Sequence, residues 1–202
     1  MTKDLIKNLA KTEMKKRVFI VHGWEGYPEE GWRPWLRENL EKASFSVFNP
    51  AMPNAENPTM KAWVKHLTKT VKTPDKNCYL IGHSLGCITI LRYLETLRNN
   101  EKIGGVILVA GFAKDLTFPG YKGELSSFFK KTIAWEKIKT HCKKFVAIHS
   151  DNDPYVSLKN AEIFREELGA KITIEHNMKH FSGDDGITKL PIVLKSILEI
   201  SN

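Results

Sequence analysis

The chain has 202 residues, 42% of them hydrophobic and 27% charged, the balance of an ordinary globular protein, which excludes a disordered or fibrous one. Its 31 basic and 23 acidic residues give a formal net charge of +8, but the basic residues come as short pairs such as Lys130-Lys131 and Lys143-Lys144 with no nucleic-acid-binding motif beside them. No specific nucleic acid partner is expected. The longest apolar run, Val106 to Ala113, falls far short of the roughly 20 residues of a membrane-spanning helix, so no membrane association is expected.

Residues 1–16 carry Leu5, Leu9 and Met14 at the spacing of a short amphipathic helix and have no secretory-signal pattern. They read as an N-terminal extension of a cytoplasmic protein, ahead of a single domain at 17–202. Val18 to Val21 is an apolar strand that stops at His22-Gly23, and Trp32, Trp35, Leu36 and Leu40 make one stripe of a helix over 29–43. Phe45 to Phe48 is a strand stopped by Pro50 and Pro53. Met60, Trp63, Val64, Leu67 and Val71 mark the next helix, and Cys78 to Ile81 the next strand. A helix over 85–97 follows, then strands at Val106 to Val109 and Phe145 to Ile148, a helix over 161–168, a strand at 172–175 and a helix over 190–200.

Short apolar strands alternating with amphipathic helices predict an α/β fold, a mostly parallel sheet of about six strands with helices on both faces. Lys114 to Cys142 departs from this rhythm: Phe118, Tyr121, Phe128, Phe129 and Trp135 crowd an interval longer than a crossover needs, which reads as a helical excursion over the sheet edge. The last strand lies near an edge that a second copy would cover, so a monomer and a homodimer both fit. Cys78, Cys87 and Cys142 are odd in number and widely spaced. They read as buried thiols, with no disulfide framework and no metal site.

Ligands of open parallel sheets sit beyond the carboxyl ends of the strands, which directs attention to His22-Gly23-Trp24, Gly82-His83-Ser84, Gly111-Phe112, Ser150 to Pro154 and His176 to Phe181. Gly82-His83-Ser84-Leu85-Gly86 matches G-x-S-x-G in a strand-turn-helix setting, the nucleophile elbow, where side chains two positions either side of the serine would collide with their neighbours. A serine needs a histidine to take its proton and a carboxylate to orient that histidine. Of seven histidines, His22 and His83 suit shaping the site; His180, in a loop after the last strand, is the favoured base and His176 the competitor. For the carboxylate Asp153, turned above the sheet by Pro154, is favoured over Asp151, with Asp115 behind. The order Ser84, Asp153, His180 is that of α/β-hydrolases. The oxyanion hole then needs the Leu85 N–H and one from the loop after the first strand, with Trp24 the candidate.

Val21-His22-Gly23-Trp24, the elbow, Ser150 through Val156, Trp135-Glu136-Lys137-Ile138 and His180-Phe181 together resemble the small serine hydrolases of the retinoblastoma-binding protein type, over nearly all of residues 17–200. The resemblance implies a compact α/β-hydrolase lacking the first two strands of larger members, a Ser-Asp-His triad and esterase activity on small acyl esters. Lys179 stands where a glycine often precedes the histidine of that family, and Ser157 where a proline often follows the valine. The expected function is hydrolysis of a small acyl ester through an acyl-enzyme on Ser84, with no metal or organic cofactor. Thioesterase and peptidase chemistry would use the same residues. The alternative is a protein-interaction module on a hydrolase scaffold, with a protein partner and little catalysis. A nucleotide-binding domain is disfavoured, since neither G-x-G-x-x-G nor a phosphate-binding loop follows any predicted strand. Trp24, Trp135, Phe112, Phe118, Phe128 and Tyr155 are the candidates to line an apolar pocket.

Overall fold

Each apolar run of the sequence becomes a strand of one sheet in the computed structural model, which describes residues 15–202; the amphipathic stripe at Leu5, Leu9 and Met14 lies outside the described residues. The strands are β1 (Arg17–Val21), β2 (Ser46–Phe48), β3 (Cys78–His83), β4 (Gly105–Val109), β5 (Phe145–Ser150) and β6 (Lys171–Glu175). They pair in the order β2-β1-β3-β4-β5-β6, every neighbour parallel. The helices are α1 (Arg33–Lys42), α2 (Met60–Val71), α3 (Leu85–Leu94), α4 (Trp135–His141), α5 (Lys159–Leu168) and α6 (Pro191–Ile200). None among the described residues is long and apolar enough to cross a membrane.

Strand periodicity divides the core in two. Val18 and Ile20 of β1, Ile107 and Val109 of β4, and Val146 and Ile148 of β5 face α1 and α6, where Leu36, Leu40, Val193 and Ile197 are buried. Their alternates Phe19, Val21, Val106, Leu108, Phe145 and Ala147 face α2 through α5, against Trp63, Leu67, Ile88, Leu91, Ile138 and Phe164. Parallel strands covered on both faces carry no polar alternation, which is why these runs are continuously apolar in the sequence. Strand order reverses at β1, whose neighbours are β2 and β3, so a crevice opens beyond the carboxyl ends of β1 and β3.

Two expectations change. The first helix begins at Arg33, not at 29, because Gly31 takes a left-handed φ of 59° and Glu30 turns to Arg33, leaving 23–32 as a loop over the crevice. The excursion does not run over the sheet edge; it lies along α3. The buried Arg92 guanidinium of α3 donates to the Phe128 carbonyl at 2.9 Å, to Thr132 at 3.3 Å and to Lys131, and pairs with Glu95 through two 3.0 Å bonds. A buried charge is retained when each of its nitrogens finds an acceptor, and here it staples the excursion to the helix that follows the elbow. The excursion itself contains only a 3-10 turn (Ser126–Phe128) and α4.

Candidate active site

The elbow is set by close backbone packing. A Cβ on Gly86 would stand 2.2 Å from the Val21 carbonyl oxygen of β1, and one on Gly82 would stand 2.7 Å from the Cys87 amide, so neither position admits a side chain. Between them Ser84 sits at φ 52°, a region strained for any residue but glycine. Its amide donates to the Val109 carbonyl of β4 at 2.9 Å, which ties the strained turn to the neighbouring strand. Ser84 is 7% exposed.

The Ser84 hydroxyl lies 2.9 Å from His180 Nε2, and His180 Nδ1 lies 2.8 Å from Asp153 Oδ2. A carboxylate only accepts, so the Nδ1–H points to Asp153 and Nε2 is left as the acceptor for the serine proton. The other oxygen of Asp153 accepts the Tyr155 and Val156 amides at 2.9 and 3.0 Å, which fixes the carboxylate; its side chain is 2% exposed. The structure thus brings together Ser84, His180 and Asp153. His176 and Asp151 bond to each other at 2.6 Å on the surface and do not reach the serine. Asp115 accepts from the Tyr121 hydroxyl within the excursion.

On the other side of Ser84, Gly23 packs so closely that its Cβ would stand 3.1 Å from the Ser84 Cβ. Among the described residues, neither the Trp24 nor the Leu85 amide donates a hydrogen bond. His22 holds that loop: its Nε2 accepts the Met52 amide at 2.9 Å and its Nδ1 bonds to the Gly23 carbonyl at 2.8 Å, a pair of bonds that needs the neutral ring. Burial lowers the His22 pKa accordingly. His83 is buried too, and burial holds its imidazole well below the ordinary histidine range; its Nε2 bonds to the His180 carbonyl at 2.8 Å.

A cavity of about 440 Å³ opens over Ser84 and His180. Its lining includes the apolar Trp24, Leu116, Phe118, Leu125 and Tyr155 and the acidic Glu25, Glu30, Asp184 and Asp185. Of the aromatic candidates, Trp24, Phe118 and Tyr155 therefore reach the cavity. Phe112 and Phe128 are fully buried core, and Trp135 packs edge-on against Phe164 at 6.4 Å. A larger hollow of about 730 Å³ lies among Lys15, Lys16, Phe45, Leu198 and Asn202, away from the serine–histidine pair. Cys78, Cys87 and Cys142 are free and buried, as expected, and burial pushes the Cys78 thiol up to about 11.

The sequence reading missed the residues that hold the histidine loop. Trp32 Nε1 donates to the Phe181 carbonyl at 3.0 Å, Glu30 accepts the Gly183 amide at 3.2 Å, and Asn152 accepts the Lys179 amide at 2.8 Å. Asp185 accepts the His180 and Ser182 amides at 3.0 and 3.1 Å, while Ser182 Oγ accepts the Asp185 amide at 3.1 Å. Only this last exchange leaves a local signal, Ser182-x-x-Asp185, the spacing of a reciprocal side-chain cap.

A profile described as serine hydrolase matches residues 18–199 of the chain. The chain belongs to the serine hydrolase family. This serine hydrolase is 34% identical to YdeN of Bacillus subtilis over 180 residues, covering 89% of this chain and 93% of that protein. It is 30% identical to serine hydrolase RBBP9 of Rattus norvegicus over 170 residues, covering 83% of this chain and 87% of that protein. The crystal structure of the Bacillus subtilis ydeN product superposes with a TM-score of 0.86 at 32% identity, over 92% of this chain and 98% of that one. Carboxylesterase CesB of Bacillus subtilis, at 12% identity and a TM-score of 0.61 over 93% of this chain and 84% of that one, shares the fold. The chain is an α/β-hydrolase of the RBBP9 type and an enzyme.

Proposed function

We propose that this serine hydrolase cleaves small carboxylic esters through an acyl-enzyme on Ser84, with His180 as base and then acid and Asp153 as the group that orients it. The observation that carries this reading is the line from Ser84 Oγ to His180 Nε2 at 2.9 Å and from His180 Nδ1 to Asp153 at 2.8 Å, at the floor of an open cavity. Three further features support it: the cavity's size, which suits a small ligand; the apolar residues in its lining, which suit a short acyl chain; and the undonated Trp24 and Leu85 amides beside the serine.

In this reading Ser84 Oγ attacks the ester carbonyl carbon as its proton passes to His180 Nε2, and the carbonyl oxygen becomes an oxyanion held by the Trp24 and Leu85 N–H groups. Asp153 holds the tautomer with Nδ1 protonated and stabilises the imidazolium. The tetrahedral adduct collapses, the carbon–oxygen bond to the alcohol breaks, and the alkoxide leaves with the proton from Nε2. Water then gives its proton to Nε2 and attacks the acyl carbon, and collapse of the second adduct returns the proton to Ser84 as the acid departs. These steps use the chain's own residues, the ester and one water molecule.

The test is labelling with a fluorophosphonate, mapped by mass spectrometry, alongside turnover of p-nitrophenyl acetate. A single adduct at Ser84 is expected, and Ser84→Ala should lower kcat by a factor on the order of 10⁴ to 10⁶ while leaving the fold intact. Turnover retained in Ser84→Ala would remove Ser84 from the mechanism, and folded protein that takes no label would return the scaffold to a binding role.

A further inference from the structure

The segment that carries His180 is held in a shape its own residues resist. Lys179 and Phe181, on either side of the histidine, take left-handed φ values of 47° and 57°, and Asn177 takes 58°. Non-glycine residues persist there only when their surroundings over-determine the backbone. The surroundings are side chains from the end of β5 and the loop after it: Asp151 accepts the Asn177 amide at 2.9 Å, Ser150 Oγ the Met178 amide at 3.0 Å and Asn152 the Lys179 amide at 2.8 Å. Downstream, Trp32 and Glu30 take the Phe181 carbonyl and the Gly183 amide.

At His180 itself, both backbone polar groups are held by side chains. Its amide donates to Asp185 Oδ2 at 3.0 Å, and its carbonyl accepts from His83 Nε2 at 2.8 Å. A carbonyl oxygen only accepts, so His83 carries its proton on Nε2. His83 immediately precedes Ser84, so this bond ties the backbone of the histidine to the side chain of the residue that adjoins the serine. The His83 ring is braced edge-on by Trp32 at 6.0 Å and lies 5.2 Å from the His180 ring. Because burial keeps His83 neutral, it adds no positive charge beside the imidazolium that forms on His180 during the reaction.

We propose that His83 and Asp185 are positioning residues for His180, gripping the carbonyl and amide of its own peptide so that the imidazole stays in line between Ser84 and Asp153. The proposal rests on the reading of those three residues as the catalytic line. Misplacement of a reacting group by about 1 Å can reduce a rate on the order of 100-fold, so a loosened grip should appear in kcat rather than in KM.

Four variants test it. His83→Phe keeps a ring against Trp32 and removes the donor, and His83→Gln restores an N–H at similar reach. Asp185→Ala removes the acceptor, and Asp185→Asn restores a carbonyl oxygen. Each is measured by kcat and KM for p-nitrophenyl acetate, by the rate of fluorophosphonate labelling, and by the downfield proton resonance of His180 Nδ1–H against Asp153. His83→Phe and Asp185→Ala should lower kcat and labelling by roughly 10- to 100-fold with KM within about twofold, and shift or broaden the resonance. His83→Gln and Asp185→Asn should recover most of each loss. Unchanged kcat and resonance in both deletions would overturn the proposal, as would glutamine failing as badly as phenylalanine in a protein that folds. If His83→Phe does not fold, the Asp185 pair decides alone. The resonance needs no turnover, so a wild type that neither turns over nor takes label would sink the esterase reading while the clamp is still judged by NMR.

Discussion

Two histidine–aspartate pairs cross between the loops that follow β5 and β6, and only one ends at a serine. The inner pair, His180 and Asp153 at 2.8 Å, has side chains 13% and 2% exposed; the outer pair, His176 and Asp151 at 2.6 Å, has 79% and 36%. The loops run side by side because β5 and β6 are parallel neighbours, so two aspartates two residues apart face two histidines four residues apart as successive rungs. In the outer pair the Asn177 amide, and after it the His176 bond, hold the Asp151 carboxyl below its usual range, and water screens the pair. In the inner pair the carboxylate is buried, and the far side of the imidazole meets Ser84. Shorter is therefore not stronger in function. Burial and a nucleophile in line, not the pairing itself, make one rung suited to proton transfer and leave the other a tether for the Asn177 turn.

Matched substitutions at the two rungs should give very different losses. His180→Ala should lower kcat/KM for p-nitrophenyl acetate by a factor on the order of 10⁴ to 10⁶, since it removes the proposed base from a group that acts as a unit. His176→Ala should stay within about threefold, because the outer ring touches neither Ser84 nor the cavity. Equal losses would erase the distinction. Asp153→Asn should cost about 10⁴ in kcat, because an amide in place of the carboxylate favours the wrong tautomer of His180. Asp151→Asn keeps an oxygen for the Asn177 amide and should cost far less, read in the same assay.

The serine side of this site was legible in the sequence and the histidine side only partly so, for a physical reason. The elbow is specified by its own neighbours: Gly82 and Gly86 are required by contacts of 2.7 and 2.2 Å to backbone, and such a steric demand leaves a fixed spacing in the sequence. The sheet was legible for a similar reason, since strands buried on both faces must be apolar throughout. The loop of His180 is instead held by Glu30, Trp32, His83 and Asn152, all remote in sequence, and each of those residues has an ordinary bland reading where it stands. Choosing His180 over His176 and Asp153 over Asp151 depended on which rung faces β3. Strand alternation does not settle that, because all four residues lie beyond the strand ends. The excursion's path was hidden likewise, set by one buried guanidinium, Arg92, whose partners are carbonyls that any residue supplies.

The inner rung is flanked by a third imidazole, and this gives an effect read in stability rather than in rate. His149 of β5 is 1% exposed, its ring lies 6.1 Å from that of Phe164, and neither nitrogen finds a hydrogen-bond partner among the described residues. Burial pushes its pKa down to about 4; the Asp153 charge opposes that shift and His180 adds to it. With the folded value below the unfolded one of about 6.5, the folded protein binds fewer protons between them. The contribution to stability is therefore whole above pH 6.5, drains as the pH falls, and is lost by pH 4, a change of about 3 kcal/mol. His149→Leu removes the titrating group and two unmet nitrogens, so at pH 7 it should be nearly neutral. From pH 7 to pH 4 the wild type should lose roughly 6 to 12 °C more in Tm than the variant, measured by calorimetry. Parallel Tm profiles would mean that folding leaves the His149 pKa at its unfolded value, so that the buried ring takes its proton as readily as in the unfolded chain. The inner rung would then gain a positive neighbour as the pH falls through about 6.5, and the burial that sets it apart from the outer rung would not extend to the ring of His149.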